Sequence, residues 1–381
     1  MINIKSNLES EEKAFDRPKP FFSMHEPDFE RLDRLERDFD NLIVIGNGGS
    51  VTSFRALNHA FSDEHDKNVE IITTMDPDRL RKVEKPLNPE RTVVMPISKS
   101  GSTTGVIEST LYFLNKNYRI IPLTSKNDGA LRQIAEEHDL ETVKHPDIGG
   151  RYTGLSETAL APAAMLGLHV REIFRGGREM HDKMAPGNSN KASRLAEVLY
   201  NAEKQGFDQV LTPFYASRLF GFYPLLVQLM HESVCKRGRG QTFFGDLGPE
   251  YQHHTNQRLF GGEDNIIPMF VEGTHEHFTL KVPENLRDVD LRGKSLEELN
   301  GETYEGALKA EAEGVKQALK TNDRPFIELK LQEFNYASVG ALMGFFQYLA
   351  VYSSWLRNVD PFNQPDVEMS KDLGFERRFE K

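Results

Sequence analysis

At 381 residues, 38% of them hydrophobic and 28% charged, the chain is long enough for two domains of ordinary size, each with its own core. Its formal net charge of −11 argues against nucleic acid or an anionic membrane as the main partner, yet leaves room for a small anionic substrate in a local basic pocket. No apolar run reaches the ~18 residues that could cross a bilayer, the first residues lack the basic start and apolar core of a secretion signal, and a single cysteine, Cys235, excludes an internal disulfide or a cysteine-based zinc site, so a reducing cytoplasm fits.

Phe29, Leu32 and Leu35, at helical spacing between Pro27 and Asp38, predict a surface helix in an N-terminal extension, residues 1–40. Four consecutive apolar residues, Leu42 to Ile45, then predict a strand covered on both faces, which points to a parallel sheet. The turn Gly46-Asn47-Gly48-Gly49-Ser50 leads into a helix over 51–61. Further strands are predicted over 69–73, 92–97, 119–123 and 141–143, with helices over 105–114 and 130–137 between them. This is βαβ alternation, so an α/β fold with a doubly wound sheet is the economical answer. A long helix is predicted over 155–174, and the Gly-, Pro-, Asn- and Ser-rich stretch 176–192 reads as a linker. The second half repeats the pattern: helices over 191–205, 219–235, 303–319 and 337–356, and strands over 209–213, 241–244, 266–271 and 326–331. The expected organisation is an extension 1–40, a first domain 41–180, a second domain 190–357 and a C-terminal segment 358–381.

Five stretches could carry chemistry. The run Ser98-Lys99-Ser100-Gly101-Ser102-Thr103-Thr104 follows a buried strand and opens a helix. Free backbone N–H groups and the helix dipole favour an anion there, with hydroxyl donors and the Lys99 charge in support. The glycine turn at 46–50 is not a dinucleotide fingerprint, because Val51 stands where a third glycine belongs and Asp76 comes too late, and it lacks the Gly-Lys-Ser/Thr of a triphosphate loop. It remains a turn that lets a ligand approach backbone N–H groups. Arg151, after Gly149-Gly150, presents a permanently charged fork suited to a phosphate or a developing oxyanion. Glu232 ends an otherwise apolar helix, where desolvation would raise its pKa toward the range of a general base. His253 and His254 are adjacent and so point in different directions, with no carboxylate at ligand spacing, and no metal is expected. Lys371 is indistinguishable from a surface lysine by composition.

Taken in order, these stretches resemble the glucose-6-phosphate isomerase family, built from two sugar-isomerase (SIS) domains, from about residue 41 to 371. The glycine turn is similar to the family's Gly-x-Gly-Gly-Ser, with Gly49 and Ser50 at the substrate. Residues 98–104 are similar to its phosphate loop, which implies that Ser98, Ser100 and Thr103 hold the sugar phosphate with help from the Lys99 backbone. Asp147-Ile148-Gly149-Gly150-Arg151-Tyr152-Thr153 resembles the stretch whose arginine stabilises the enediolate. Met230-His231-Glu232-Ser233 resembles that of the catalytic base. Gln252-His253 followed by Gln257 selects His253 for ring opening, and residues 364–371 resemble the C-terminal signature whose Gln364 and Lys371 close over the substrate. Cys235 replaces a usual glycine and Pro365 a usual tryptophan, and the chain is short, as in the compact prokaryotic members.

The resemblance implies two SIS-type αβα sandwiches with mainly parallel sheets flanked by helices. It also implies interconversion of glucose 6-phosphate and fructose 6-phosphate in glycolysis and gluconeogenesis, no metal or organic cofactor, and a homodimer in which His253 reaches the neighbouring subunit's site. An isomerase that also accepts mannose 6-phosphate and a non-catalytic sugar-phosphate sensor are the alternatives. The sensor has no need of Glu232, His253 and Lys371 together.

Overall fold

A computed structural model describes residues 2–10, 14–187, 189–274, 279–284 and 289–380. In chain order the strands are β1 (Ile2–Ser6), β2 (Asn41–Ile45), β3 (Asn68–Ile72), β4 (Thr92–Ser98), β5 (Arg119–Ile120), β6 (Leu123–Thr124), β7 (Val143–Lys144), β8 (Gln209–Phe214), β9 (Thr242–Leu247), β10 (Ile266–Gly273), β11 (Asp290–Leu291), β12 (Lys294–Ser295) and β13 (Ile327–Leu331). β5 and β6 are one predicted strand interrupted before Leu123, where Pro122 has no N–H for the ladder.

The first sheet runs β3-β2-β4-β6-β7 with β5 beside β4, and all its pairs are parallel. Counted within that half, β2 pairs with both the next strand and the one after, so the chain reverses direction across the sheet between β2 and β4. In doubly wound sheets a crevice opens at that reversal, beyond the carboxyl ends of the strands. The glycine turn follows β2 and the hydroxyl-rich loop follows β4, so both fall at the crevice. The second sheet, β1-β13-β10-β8-β9, is wound in the same way, with antiparallel β1 added at its edge.

Side-chain alternation along β2 shows how the layers are built. Leu42 and Val44 point into a central core, while Ile43 and Ile45 point to an outer one with Val94, Val106 and Phe113. The second sheet has its own outer cluster around Phe270, Leu319 and Phe326. The central core is shared, running unbroken from Leu42 and Met95 of the first half to Phe214 and Leu329 of the second. Its axis is the helix Tyr336–Leu356, capped by Asn335 and Ser338 and buried on nearly every side.

The α/β class with mainly parallel sheets flanked by helices is as expected, but several elements differ. Residues 1–40 are not a helical extension: β1 extends the second sheet and the helix near residue 30 is only Phe29–Asp33, with Leu32 and Leu35 of the apolar stripe buried. The long helix over 155–174 is two helices, Glu157–Met165 and Val170–Lys183, separated at Gly167, whose φ of +83° suits glycine. Gly176 and Gly177, expected in a linker, lie inside the second of these. A Cβ on Gly176 would stand 1.8 Å from the Ala337 carbonyl oxygen, so this glycine lets two helices touch backbone to backbone, and one on Gly177 would stand 2.2 Å from Leu155 Cδ1. No helix among the described residues is long and apolar enough to cross a membrane.

Candidate active site

A cleft of about 1220 Å³ lies beyond the carboxyl ends of the first sheet. Of the expected site residues, Gly49, Ser50, Lys99, Ser100, Thr103, Arg151, Glu232, Gln364 and Lys371 line it. Five cations, Lys99, Lys126, Lys144, Arg151 and Lys371, face two carboxylates, Asp147 and Glu232. The cleft is therefore electropositive inside an acidic protein, which suits an anionic ligand.

The loop after β4 is held from beneath. Ser98 is buried, and its Oγ lies 3.0 Å from Thr103 Oγ1 and accepts from the Gly101 N–H at 3.2 Å. It does not line the cleft, and props Thr103 instead. Asn127 Nδ2 donates to the Lys99 and Ser100 carbonyls, both at 3.1 Å, and a Cβ on Gly129 would stand 2.1 Å from the Ser100 oxygen. The helix Thr104–Leu114 begins with no side chain bonded to its first N–H groups, which leaves them for a ligand. Lys99 Nζ lies 2.6 Å from Asp147 Oδ1.

On the opposite wall Gly48, with φ +53°, starts the helix Gly49–Ala60. A Cβ on Gly49 would sit 2.1 Å from the carbonyl carbon of Gly150 and 2.2 Å from the Arg151 nitrogen, so only glycine lets these two loops meet. Arg151, in the short 3-10 helix Gly150–Leu155, has its side chain 2% exposed and every N–H engaged. Nε donates to Ser233 Oγ at 2.8 Å, Nη1 to Glu232 Oε2 at 3.1 Å and Gln364 Oε1 at 2.7 Å, and Nη2 to the Pro361 and Asn363 carbonyls at 2.7 and 2.9 Å. Glu232 projects from the last turn of the helix Tyr223–Val234. The apolar enclosure expected around it is absent. Its side chain is 32% exposed, Oε2 meets Arg151 and Oε1 accepts from Gln228 Nε2 at 3.0 Å. Lys371, on the helix Glu368–Glu376, reaches the cleft while paired with Glu368 at 3.0 Å.

His253 is exposed at the end of the 3-10 helix Glu250–His253, and neither it nor His254 lines the cleft. Among the described residues no group of three or more His, Cys, Asp or Glu side chains could hold a metal ion.

Sequence reasoning passed over Ser125, Lys126, Asn127, Lys144, His145 and Gln228, all of which line the cleft. Their signal was positional: residues 125–127 follow β6, Lys144 ends β7 and His145 follows it, all at the carboxyl edge of parallel strands, and Gln228 lies one helical turn before Glu232. His145 is buried, and burial pushes its imidazole down to about 4. Its Nδ1 lies 2.7 Å from the Pro146 carbonyl, a contact that needs the proton on Nδ1, and Nε2 has no partner among the described residues.

Among known proteins, the family model described as phosphoglucose isomerase matches residues 34–378. A probable glucose-6-phosphate isomerase of Haloarcula marismortui is 29% identical over 88% of this chain and 77% of its own. A glucose-6-phosphate isomerase of Methanocaldococcus jannaschii is 27% identical over 90% of this chain and 86% of its own. Among solved structures, a hypothetical protein from Thermus thermophilus superposes with a TM-score of 0.82 at 27% identity, covering 92% of this chain and 86% of that one. A glucose-6-phosphate isomerase from Chlamydia trachomatis gives 0.74 at 21%, covering 91% and 71%, a likeness that concerns the fold alone.

Proposed function

The chain belongs to the phosphoglucose isomerase family, and from that premise we propose that it interconverts glucose 6-phosphate and fructose 6-phosphate in the cleft beyond the first sheet. The observation that carries this reading is the contact of Arg151 Nη1 with Glu232 Oε2, which sets a carboxylate base and a permanent cation side by side in an electropositive cleft.

In this mechanism Ser50, Ser100, Thr103 and the open N–H groups at Thr104 hold the phosphate, with Ser98 orienting Thr103. Binding energy from that remote group positions the sugar carbons. His253 and Lys371 move protons between ring and hydroxyl oxygens to open the ring. Glu232 takes the proton from C2 of the open aldose, the C–H electrons form the C1–C2 double bond, and the C1 carbonyl becomes an enediolate oxygen. The O2 proton passes to O1, and returning the C2 proton to C1 as the C2 carbonyl forms completes the transfer, so C1 is reduced and C2 oxidised with no external reductant. Arg151 stabilises the enediolate. Because all its donors are engaged, an incoming oxygen displaces Gln364 or Glu232 from Nη1, and displacing Glu232 frees the base.

His253 lies off the cleft of its own chain, and we assign it to the site of a second copy in a cytoplasmic homodimer. Mixing inactive Glu232→Gln and His253→Ala chains under exchange conditions should then restore activity; no recovery despite proven exchange counts against a shared site. The reading as a whole is tested by a coupled assay of fructose 6-phosphate to glucose 6-phosphate with purified protein, with and without chelator. Absence of turnover ends it, and loss of turnover on chelation ends the metal-free mechanism.

A further inference from the structure

Lys236 has no part in the mechanism above, yet it is the ionisable group nearest in sequence beyond Glu232 and Cys235 and is buried, with 7% of its surface exposed. It stands at the turn that leaves the helix Tyr223–Val234. Its Nζ donates to the carbonyl of Asp360, and it forms no ion pair among the described residues. The neighbouring carbonyls of the same segment are also held by cations. Arg239, bridged to Lys236 across the turn, donates to the Arg357 carbonyl, and Arg151 Nη2 holds those of Pro361 and Asn363. Residues 357–364 therefore lie as a strap fastened through its backbone oxygens, and at its end Gln364 meets Arg151.

An ammonium buried against a single carbonyl is poorly compensated, since desolvation of the charge exceeds what one neutral acceptor returns. A methionine of similar length would pack there without that penalty. The charge is thus not explained by stability, and its one contact lies on the strap. We propose that Lys236 is a positioning residue for the isomerisation, tying the strap that carries Gln364 to the end of the helix that carries Glu232. The inference rests on the isomerase reading and adds to it a residue that touches no substrate.

The groups facing Lys236 are Arg151, Asp360, Asp366 and Glu232, with the Cys235 thiol beside it. Burial, and then the Arg151 charge, push its ammonium down from 10.5 to about 8. Below that value the bond to Asp360 is charge-assisted. As the pH rises through it, the ammonium becomes an amine and the bond weakens.

The test compares the parent with Lys236→Met and Lys236→Arg by thermal unfolding and by kcat/KM for fructose 6-phosphate from pH 6 to 10. Expected for Lys236→Met is a Tm equal to or above the parent's at pH 7, with kcat/KM lower by roughly tenfold or more. The parent should lose kcat/KM on the alkaline side near pH 8, and Lys236→Arg should retain activity with that limb moved upward. The inference is overturned if Lys236→Met keeps kcat/KM within twofold, or loses it only in step with a fallen Tm, or if a folded Lys236→Arg shows the parent's alkaline limb unchanged. If Lys236→Arg does not fold, Lys236→Met decides alone. A parent without isomerase activity is a different result, which removes the functional reading itself.

Discussion

Replacing Arg151 by lysine keeps the charge and removes the fork. Arginine offers five N–H donors in a plane, and all five are used here, on Ser233, Glu232, Gln364, Pro361 and Asn363. A lysine ammonium has three donors at one point, so at least two of these acceptors lose their partner where the side chain is 2% exposed. At about 1–3 kcal/mol for each buried group left unsatisfied, the substitution should cost up to about 6 kcal/mol, and less where water reaches the partly exposed Glu232 or Gln364 in its place. The loss is readable as a lower urea midpoint, followed by the fluorescence of Trp355, the only tryptophan. That ring packs against Phe15 and Tyr352 and reports on the shared core. Turnover should fall further than stability accounts for, roughly 10²- to 10³-fold in folded protein, because the lysine cannot present two aligned donors to the enediolate oxygens. A variant with an unchanged midpoint and turnover within threefold of the parent would refute both the donor count and the role.

Glu232→Gln should lower kcat by roughly 10²- to 10⁴-fold with little change in KM, since only proton transfer is lost; near-normal turnover in steady-state assays removes Glu232 as the base. Gly49→Ala forces apart the loops that meet at Gly150 and should cost about 1–3 kcal/mol or more and raise KM, whereas Gly149→Ala, whose Cβ meets nothing within 4 Å, should be tolerated. Equal behaviour of the two alanine variants in urea unfolding and kinetics would contradict the close approach. His145 and His181 are both held down to about 4 by burial. Their contribution is fully present above the ordinary 6.5 and is lost as the pH falls through about 4, because the unfolded chain takes up the protons first. Stability should drop by roughly 2.7 kcal/mol per pH unit across that window, and His181→Gln should about halve the slope; a flat urea midpoint from pH 7 to 4 rules this out.

Much of the first sheet was legible because parallel strands covered on both faces read as unbroken apolar runs, as at Leu42 to Ile45 and Val93 to Ile97. The turns after β2 and β4 were legible as places a ligand could approach because their glycines and hydroxyls have a local meaning, and both line the cleft. What failed was non-local. Gly176 looks like a linker residue, and only Ala337, far along the chain, shows it to be a helix contact. Ile2 to Ser6 carries no sign of its pairing with residues 327–331. Glu232 was judged by the apolar helix around it, although its partner Arg151, and the Gln364 that shares that arginine, come from other parts of the chain. Lys371 came into view through family resemblance alone, since an exposed lysine has no local signature.

The edge strand β1 has a consequence for how the protein is made. Ser6 pairs with Ile327, so β1 leaves the ribosome long before the strand it belongs beside. At ~5–20 residues per second, roughly 15 to 60 s pass before β13 exists to receive it. Throughout that interval the N-terminal segment has no sheet to join, while the first sheet, encoded by residues 41–144, can already assemble. The second sheet cannot be completed until β13 has emerged. A bulky fusion at the N-terminus therefore weighs on the slowest closure in the chain, and a short tag there, or none, is the better choice for producing it.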